Sequence, residues 1–299
     1  MLGEDLRPTE ATEGRETVIE RMLDSLRKAV RSANVTIEDL NGLGVAAPGP
    51  VDWQTGHVLE PPNLPGWGDV PLGSILSEQL GLPVVLENDA NAAALGEYVS
   101  GAGRGAKALI YITISTGIGG GLVFDGRLYR GVSGAAGEVG HMIIRPEGPL
   151  CGCGRHGCLE ALSSGSAIGR EGATALANGR APLLRRQIDD SGQPVSALLV
   201  ARAAGEGDED AQQILHEAGV SLGIGLGNLV NLLNPDRIVI GGGAAHIGAP
   251  LLEPAEAVMR RNAFPGAAAR VSLRSAELEY AAIHGVASLV ADSDFRVQG

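Results

Sequence analysis

The 299-residue chain has few aromatic residues, few cysteines and a deficit of positive charge. Aromatic residues make up 3% of it, so its cores must be built from Ala, Val, Leu and Ile. Only three cysteines are present, an odd number that fits a metal site in a reducing compartment better than a disulfide framework. Lys and Arg number 23 against 35 Asp and Glu, for a formal charge of −12, which opposes binding to nucleic-acid or membrane phosphates.

Long apolar runs are also missing. The chain has no uninterrupted apolar span of membrane length, and the polar residues 1–20 lack the apolar core of a signal peptide. We therefore expect a soluble, cytoplasmic protein that binds neither membranes nor nucleic acid. Glycine is abundant instead, with 45 residues, about twice the usual ~7%. At about 150 residues per domain, the length predicts two domains.

The first third of the chain alternates between helical and strand patterns. Apolar residues at helical spacing predict a helix over residues 18–30, with Thr17 and Glu20 as a capping box. Further helices are predicted over 72–80 and 90–99, and buried strands over 43–47 and 83–86. Such alternation is typical of an α/β sheet whose strand ends present residues to a cleft.

A new domain is predicted from about residue 106. Its signals are a strand at 108–115, a glycine-rich turn at 116–121, a strand at 121–124 and an Asp125-Gly126 hairpin. Residues 160–230 are mostly helical in pattern. Strands at 237–240 and 271–273 and a final helix over 281–291 complete the prediction.

All three cysteines lie within eight residues of one another, and a histidine precedes them. Cys151, Cys153 and Cys158 with His141 would complete a tetrahedral zinc shell, and the intervening glycines allow a short loop to fold around an ion. The alternative is a glycine-rich loop with free thiols. His156 is a rival fourth ligand, but it lies only two residues from Cys158. A closed four-ligand shell is structural, because catalytic zinc needs an open position.

The zinc pattern and several other motifs resemble those of the ROK family, which comprises repressors, open reading frames and sugar kinases. Within that family the chain most resembles the bacterial glucokinases. The resemblance implies two ribonuclease-H-like (actin-like ATPase) α/β lobes around a cleft. Residues 1–105 form the N-terminal lobe, which a helix at 280–299 completes, and residues 106–279 form the C-terminal lobe. The matching segments, in order, are 47–52, 62–63, 87–97, 113–121, 137–141, 151–160 and 234–243.

The resemblance also implies ATP-dependent phosphorylation of a hexose, with glucose the leading substrate. Asp89 matches the general base that deprotonates the primary hydroxyl of the sugar; its alternative role is a helix N-cap. A neutral polyol needs several fixed donors and acceptors. The positions that match the sugar-binding residues of the family, besides Asp89, are Gly49, Asn63, Asn88, Glu138, His141 and Glu160.

Nucleotide binding is expected at two glycine-rich segments. Thr116 and Gly117 resemble a phosphate loop of the family, and Gly241, Gly242 and Gly243 would let adenosine approach the backbone. The alternative for the first segment is a tight β-hairpin with a bulge. A Walker A lysine motif is absent, so ATP and its Mg²⁺ would be held in another way.

One family motif is not found. The Asp-x-Gly-Gly-Thr phosphate loop should lie near the start of the N-terminal lobe, where the chain leads almost directly into its first helix, so we expect a truncated lobe. Either the reading frame begins upstream and the protein is an ordinary kinase, or the loop is lost and a catalytically impaired sugar-binding remnant is left. A sugar-responsive repressor is the third possibility. The family resemblance favours a homodimer or homotetramer.

Overall fold

The computed structural model describes residues 2–61 and 63–291, so the end of the helix expected at 280–299 lies outside the described residues. Strands are β1 (Leu43–Ala47), β2 (Val51–Asp52), β3 (His57–Leu59), β4 (Asp69–Val70), β5 (Val84–Asn88), β6 (Ala108–Ile114), β7 (Ile118–Phe124), β8 (Arg127–Leu128), β9 (Arg237–Gly241) and β10 (Ser272–Ser275). Helices are α1 (Arg15–Ser32), α2 (Leu72–Leu80), α3 (Asp89–Ser100), α4 (Leu159–Ser163), α5 (Gly165–Ala177), α6 (Pro182–Ser191), α7 (Ala197–Gly205), α8 (Glu209–Leu233), α9 (Ala249–Asn262), α10 (Pro265–Ala268) and α11 (Ala281–Ala291).

The C-terminal half forms a five-stranded sheet in the order β10-β9-β6-β7-β8. Strands β6, β7 and β8 are antiparallel neighbours, and β9 and β10 add parallel strands on the other side of β6. A strand meander extended by parallel strands is the arrangement expected of a ribonuclease-H-like half. The Asp125-Gly126 turn between β7 and β8 has positive φ at both residues, as the hairpin prediction requires.

The N-terminal half contains a smaller sheet. Strands β1 and β5 pair in parallel, with Leu43 opposite Val84 and Ala47 opposite Asn88. A separate antiparallel sheet, β2-β3-β4, packs beside them. Ahead of α1 the described residues form a short 3₁₀-helix and otherwise irregular chain. Ahead of α1, therefore, no strand is found among the described residues.

Helices α3 and α11 form a layer between the two sheets. One face of the five-stranded sheet, including Leu109 and Val239, packs against these two helices, and alternate residues such as Ile110 and Ile238 face the helices of the C-terminal half. On the far side of β1 and β5, Val45 belongs to the cluster that includes α1 and α2. The layers therefore run helix, sheet, helix, sheet, helix.

Glycines bring α3, α11 and β1 close together. A Cβ at Gly285 of α11 would overlap the carbonyl oxygen of Ala92, and one at Gly96 of α3 would overlap that of Ala281. At Gly44 of β1 a Cβ would lie 2.7 Å from the Cβ of Val286. Helix α11 thus packs on the N-terminal sheet, although the division into residues 1–105 and 106–279 stays a prediction.

Most predicted elements are present, but three details were wrong. The capping box does not form, because Gly14 is the N-cap of α1 and Thr17 bonds the carbonyl oxygen of Glu13 instead. The glycine-rich turn is shorter than predicted, since β7 already begins at Ile118. The sequence analysis also missed the small β2-β3-β4 sheet and the helix α9.

Among residues 2–61 and 63–291, no helix is both long enough and apolar enough to cross a bilayer.

Candidate active site and metal centre

Asn88 and Asp89 lie where β5 ends and α3 begins. The side-chain oxygen of Asn88 accepts hydrogen bonds from the backbone N–H groups of Ala90 and Asn91, at 3.0 and 3.1 Å. Asn88 is therefore the N-cap of α3, the role considered above as an alternative for Asp89. Its amide nitrogen faces Gly49, where a Cβ would lie only 2.9 Å away.

Asp89 is the first residue of α3 and points into a cleft. Its Oδ1 accepts a hydrogen bond from the N–H of Ala90 at 2.7 Å. The carboxylate lines a cavity of about 880 Å³ together with Thr113 and the segment 241–243. The side chain is exposed to this cleft, yet the surrounding protein desolvates it and raises its pKa above the ordinary value.

Thr116 and Gly117 form the turn between β6 and β7. The N–H of Ser115 donates to the carbonyl oxygen of Gly117 at 2.9 Å, and the N–H of Ile118 donates to Glu160 Oε2 at 3.0 Å. A Cβ at Gly117 would displace the Glu160 carboxylate, so glycine there lets Glu160 keep its bond to the N–H of Ile118.

The glycines after this turn belong to a strand. A Cβ at Gly119 would lie 3.2 Å from the Cβ of Ala90, and one at Gly121 would lie 2.6 Å from the Cβ of Ala94. Gly119 and Gly121 let β7 lie directly against α3. This contact brings the turn at Thr116 and Gly117 towards the end of α3 that carries Asp89.

His141 and the three cysteines are brought together as one cluster. Their ligand atoms all lie within 4.8 Å of one another. Zn–S bonds of about 2.3 Å and Zn–N bonds of about 2.0 Å at tetrahedral angles imply S···S and S···N separations of about 3.8 and 3.5 Å. Cys153 Sγ lies 3.6 Å from Cys158 Sγ, and Cys151 Sγ lies 3.7 Å from His141 Nδ1. The geometry and donor set fit zinc.

His156, the rival ligand, is directed elsewhere. Its Nδ1 lies 3.0 Å from the carbonyl oxygen of Gly148, and the side chain is exposed.

The thiols of the cluster differ in their surroundings. Desolvation raises the pKa of Cys151 to about 12, whereas hydrogen bonding to the backbone and then the side chain of Arg155 lowers the pKa of Cys153 to about 6.

The cluster is adjacent to two of the predicted sugar ligands. His141 turns Nδ1 towards Cys151 and leaves Nε2 3.9 Å from Glu138 Oε2. Glu160 Oε1 lies 3.6 Å from Cys151 Sγ while its other oxygen holds Ile118. Contacts therefore run from the cluster through Glu160 to the turn at Thr116.

Asn63 and the segment 241–243 are placed differently. Asn63 lies exposed in the turn between β3 and β4, and no described contact joins it to the other predicted sugar ligands. The segment 241–243 ends β9 and lines the cavity beside Asp89. Gly243 also lines a second cavity of about 1000 Å³, together with Thr116, Arg170 and Arg202. At Gly242, φ is 88° and a Cβ would overlap the backbone of Ile114, so glycine is needed there.

The sequence analysis missed a buried ion pair beside Asn88. Glu87, 2% exposed, accepts a 2.7 Å hydrogen bond from Nε of Arg130, which is 9% exposed. The guanidinium carbon of Arg130 lies 4.4 Å from the ring centroid of Trp53. A charged residue that directly follows the apolar residues Val84–Leu86 in strand β5 was the available signal.

Known proteins resemble this chain along most of its length. The ROK family model matches residues 3–293. The glucokinase of Halalkalibacterium halodurans is 38% identical over 91% of this chain and 82% of its own length. The xylose repressor of Caldicellulosiruptor bescii is 35% identical over 84% of this chain but only 62% of its own length.

A solved structure resembles this chain in both sequence and fold. The ROK family glucokinase of Streptomyces griseus, determined in complex with glucose and AMPPNP, superposes with a TM-score of 0.79 at 35% identity, covering 92% of this chain and 88% of that one. The expected fold class of actin-like α/β lobes is thereby confirmed. Matched along almost its whole length, the chain belongs to the ROK family.

Proposed function

We propose that the protein phosphorylates a hexose with ATP, that glucose is the substrate, and that Asp89 is the general base. One observation carries the proposal: the Asp89 carboxylate opens into a cleft that it shares with Thr113 of β6 and the segment 241–243, and desolvation raises its pKa. A carboxylate with a raised pKa is a stronger base than an ordinary aspartate. The glucokinase relatives support glucose as the sugar.

The sugar would lie between Asp89 and the cysteine cluster. The oxygen of Asn88 caps α3, so its amide nitrogen would donate to a sugar hydroxyl. Glu138, Glu160 and His141 would offer further polar groups from the side of the cysteine cluster, and Gly49 leaves room beside Asn88. Several such groups give selectivity, because an analogue that leaves one of them unpaired binds weakly. Asn63, the remaining predicted ligand, lies exposed in the turn between β3 and β4.

Zinc bound by His141, Cys151, Cys153 and Cys158 would be structural. When bound, it supplies no open coordination position and acts by fixing the loop and the imidazole. His141 uses Nδ1 towards the cluster, so its Nε2 stays available to hydrogen-bond a sugar hydroxyl.

ATP would bind along the turn Thr116–Gly117 and the segment 241–243. The second cavity next to this turn is lined by Arg170 and Arg202, charges that suit an anionic nucleotide. Mg²⁺ would enter with ATP and bridge its phosphates.

The reaction follows from this placement. Asp89 accepts the proton of the primary hydroxyl while the oxygen forms a bond to the γ-phosphorus and the bond to the bridging β–γ oxygen breaks. The products are hexose 6-phosphate and ADP. Closure of the cleft would exclude water, which could otherwise accept the phosphoryl group.

The test is glucose-dependent ADP formation by zinc-loaded protein. Asp89→Asn should lower kcat at least ~100-fold, the range expected for a general base, and leave the calorimetric Kd for glucose within about threefold. Asp125→Asn, at the exposed hairpin turn with a left-handed φ that Asn tolerates, is the matched control and should act as wild type. Equal kcat in Asp89→Asn and wild type would overturn the base assignment.

A repressor is the second candidate, because xylose repressors are among the relatives. Salt-sensitive binding of the chain to duplex DNA that sugar releases, without ADP formation, would favour it. Glucose binding with neither activity would favour the sugar-binding remnant.

A further inference from the structure

The ion pair of Glu87 and Arg130 is buried on both sides. The two residues lie 43 positions apart in the sequence, and their side chains are 2% and 9% exposed. Buried ion pairs are weak contributors to stability, because the cost of desolvating both charges offsets most of their attraction. The position of the pair is therefore more informative than its energy.

On one side the pair fixes the start of α3. Glu87 directly precedes Asn88, and its Oε1 accepts the Asn88 N–H at 2.9 Å and the Asn91 side-chain amide at 3.1 Å. Its Oε2 takes the bond from Arg130. One carboxylate thus holds the strand end and the first turn of the helix that carries Asp89.

On the other side the pair fixes the loop that leads to the cysteine cluster. Arg130 lies two residues after β8, and its carbonyl oxygen accepts the Ala136 N–H at 3.1 Å. Glu138 and His141 follow on the same loop. The Arg130 guanidinium also lies over Trp53, next to β2. Arg130 therefore joins this loop to two strand ends of the N-terminal half.

We propose that Glu87 and Arg130 are positioning residues that hold the base and the sugar-binding loop in register across the cleft. The inference rests on the proposed function, since it concerns the distance between Asp89 and Glu138–His141. Neither residue of the pair lines the cavity beside Asp89; they act through Asn88 and through the loop 130–138. A displacement of about 1 Å can lower the rate of a reaction ~100-fold, so loss of this ion pair should lower kcat.

The experiment separates positioning from stability by comparing a single with a double variant. Arg130→Met leaves the Glu87 carboxylate buried and unpaired, so both the melting temperature and kcat should fall, kcat by ~100-fold. Glu87→Gln/Arg130→Met removes both charges and keeps an acceptor for the Asn88 N–H. It should recover most of the melting temperature but keep the low kcat and a raised KM for glucose. Arg186→Met, in the exposed pair with Glu206, is the matched control and should behave as wild type.

A second readout needs no turnover. Hydrogen exchange followed by peptide mass spectrometry should show faster exchange at both 86–92 and 132–141 in the double variant, and at neither in Arg186→Met. A double variant with wild-type kcat, or with faster exchange on one side only, would overturn the proposal. A wild-type protein that forms no ADP would refute the proposed kinase, and the exchange result would still decide whether the pair joins the two sides.

Discussion

The five-stranded sheet and the two-stranded sheet flank the same helices, α3 and α11, but they are stabilised in different ways. The larger sheet buries branched aliphatic residues on both faces, for example Ile110 and Leu109. The smaller sheet packs Val45 and Leu86 towards α1 and α2, but on the side of α11 it relies on close backbone contact, with Gly44 of β1 against Val286. The half that carries Asp89 therefore depends on fewer and closer contacts, and substitutions there should have the larger effects.

The largest effect is expected where α3 crosses α11. Gly285→Ala places a methyl group onto the carbonyl oxygen of Ala92, which only a backbone shift can relieve, and should lower the free energy of unfolding by about 3 kcal/mol. Urea denaturation measures this. Gly205→Ala in α7 adds the same methyl group in open space and should change it by less than about 1 kcal/mol. Equal losses would mean that the helix crossing is not tighter than the rest of the molecule.

The next effect lies where the two regions join. Glu97, at the end of α3, is fully buried, and its Oε1 accepts the N–H groups of Glu277 and Leu278 at 3.0 and 2.8 Å. Its Oε2 accepts the N–H of Ala102 at 2.7 Å. The carboxylate thus holds the segment between β10 and α11.

Glu97→Gln replaces one acceptor oxygen with a donor that faces backbone N–H groups, and should cost about 2 kcal/mol of unfolding free energy. Thermal and urea denaturation measure it. The exposed Glu253→Gln in α9 is the control and should leave stability within about 0.5 kcal/mol. If both variants unfold alike, the junction does not depend on this carboxylate.

The C-terminal half has its own local support in the cysteine cluster. His141→Ala should lower bound zinc well below the expected one per chain and weaken glucose binding about tenfold, because the loop that carries Glu138 loses its fixed position and the sugar loses its proposed bond to the imidazole. The five-stranded sheet should stay folded by circular dichroism. His156→Ala, outside the cluster, should keep both zinc and glucose affinity. Loss of zinc without loss of glucose affinity would contradict the organising role of the metal.

Features set by residues close together in the sequence were predicted, whereas contacts between residues far apart in the sequence were not. Helix α2 was predicted to the residue, and the cysteine cluster was found from its spacing alone. Gly119 was assigned to a turn and Gly121 to the point where that turn meets the next strand, but both lie within β7 and make room for α3. The Glu87–Arg130 pair joins residues that only the fold brings together. The cap role considered for Asp89 belongs to its neighbour Asn88, a distinction that depends on side-chain direction.

The smallest expected effect concerns the ionisation of Asp89. Because desolvation raises its pKa in the folded protein above the unfolded value, the folded state binds the proton more tightly, and the ionised carboxylate opposes folding. At pH values above the pKa of Asp89 in the folded protein, Asp89→Asn should therefore raise the melting temperature slightly. The gain should shrink as the pH falls through that pKa and vanish below the unfolded value. Asp125→Asn should show no such pH-dependent difference.

The same shift has the opposite consequence for activity. A base must be deprotonated, so kcat/KM of the proposed kinase should fall as the pH drops through the raised pKa, at a higher pH than an ordinary aspartate would give. Stability and activity would then depend on Asp89 with opposite signs above that pKa, where the ionised carboxylate lowers the melting temperature and supports turnover. An acid limb at the pKa of an ordinary aspartate, or a lower melting temperature for Asp89→Asn at pH 8, would show that the cleft does not desolvate this carboxylate.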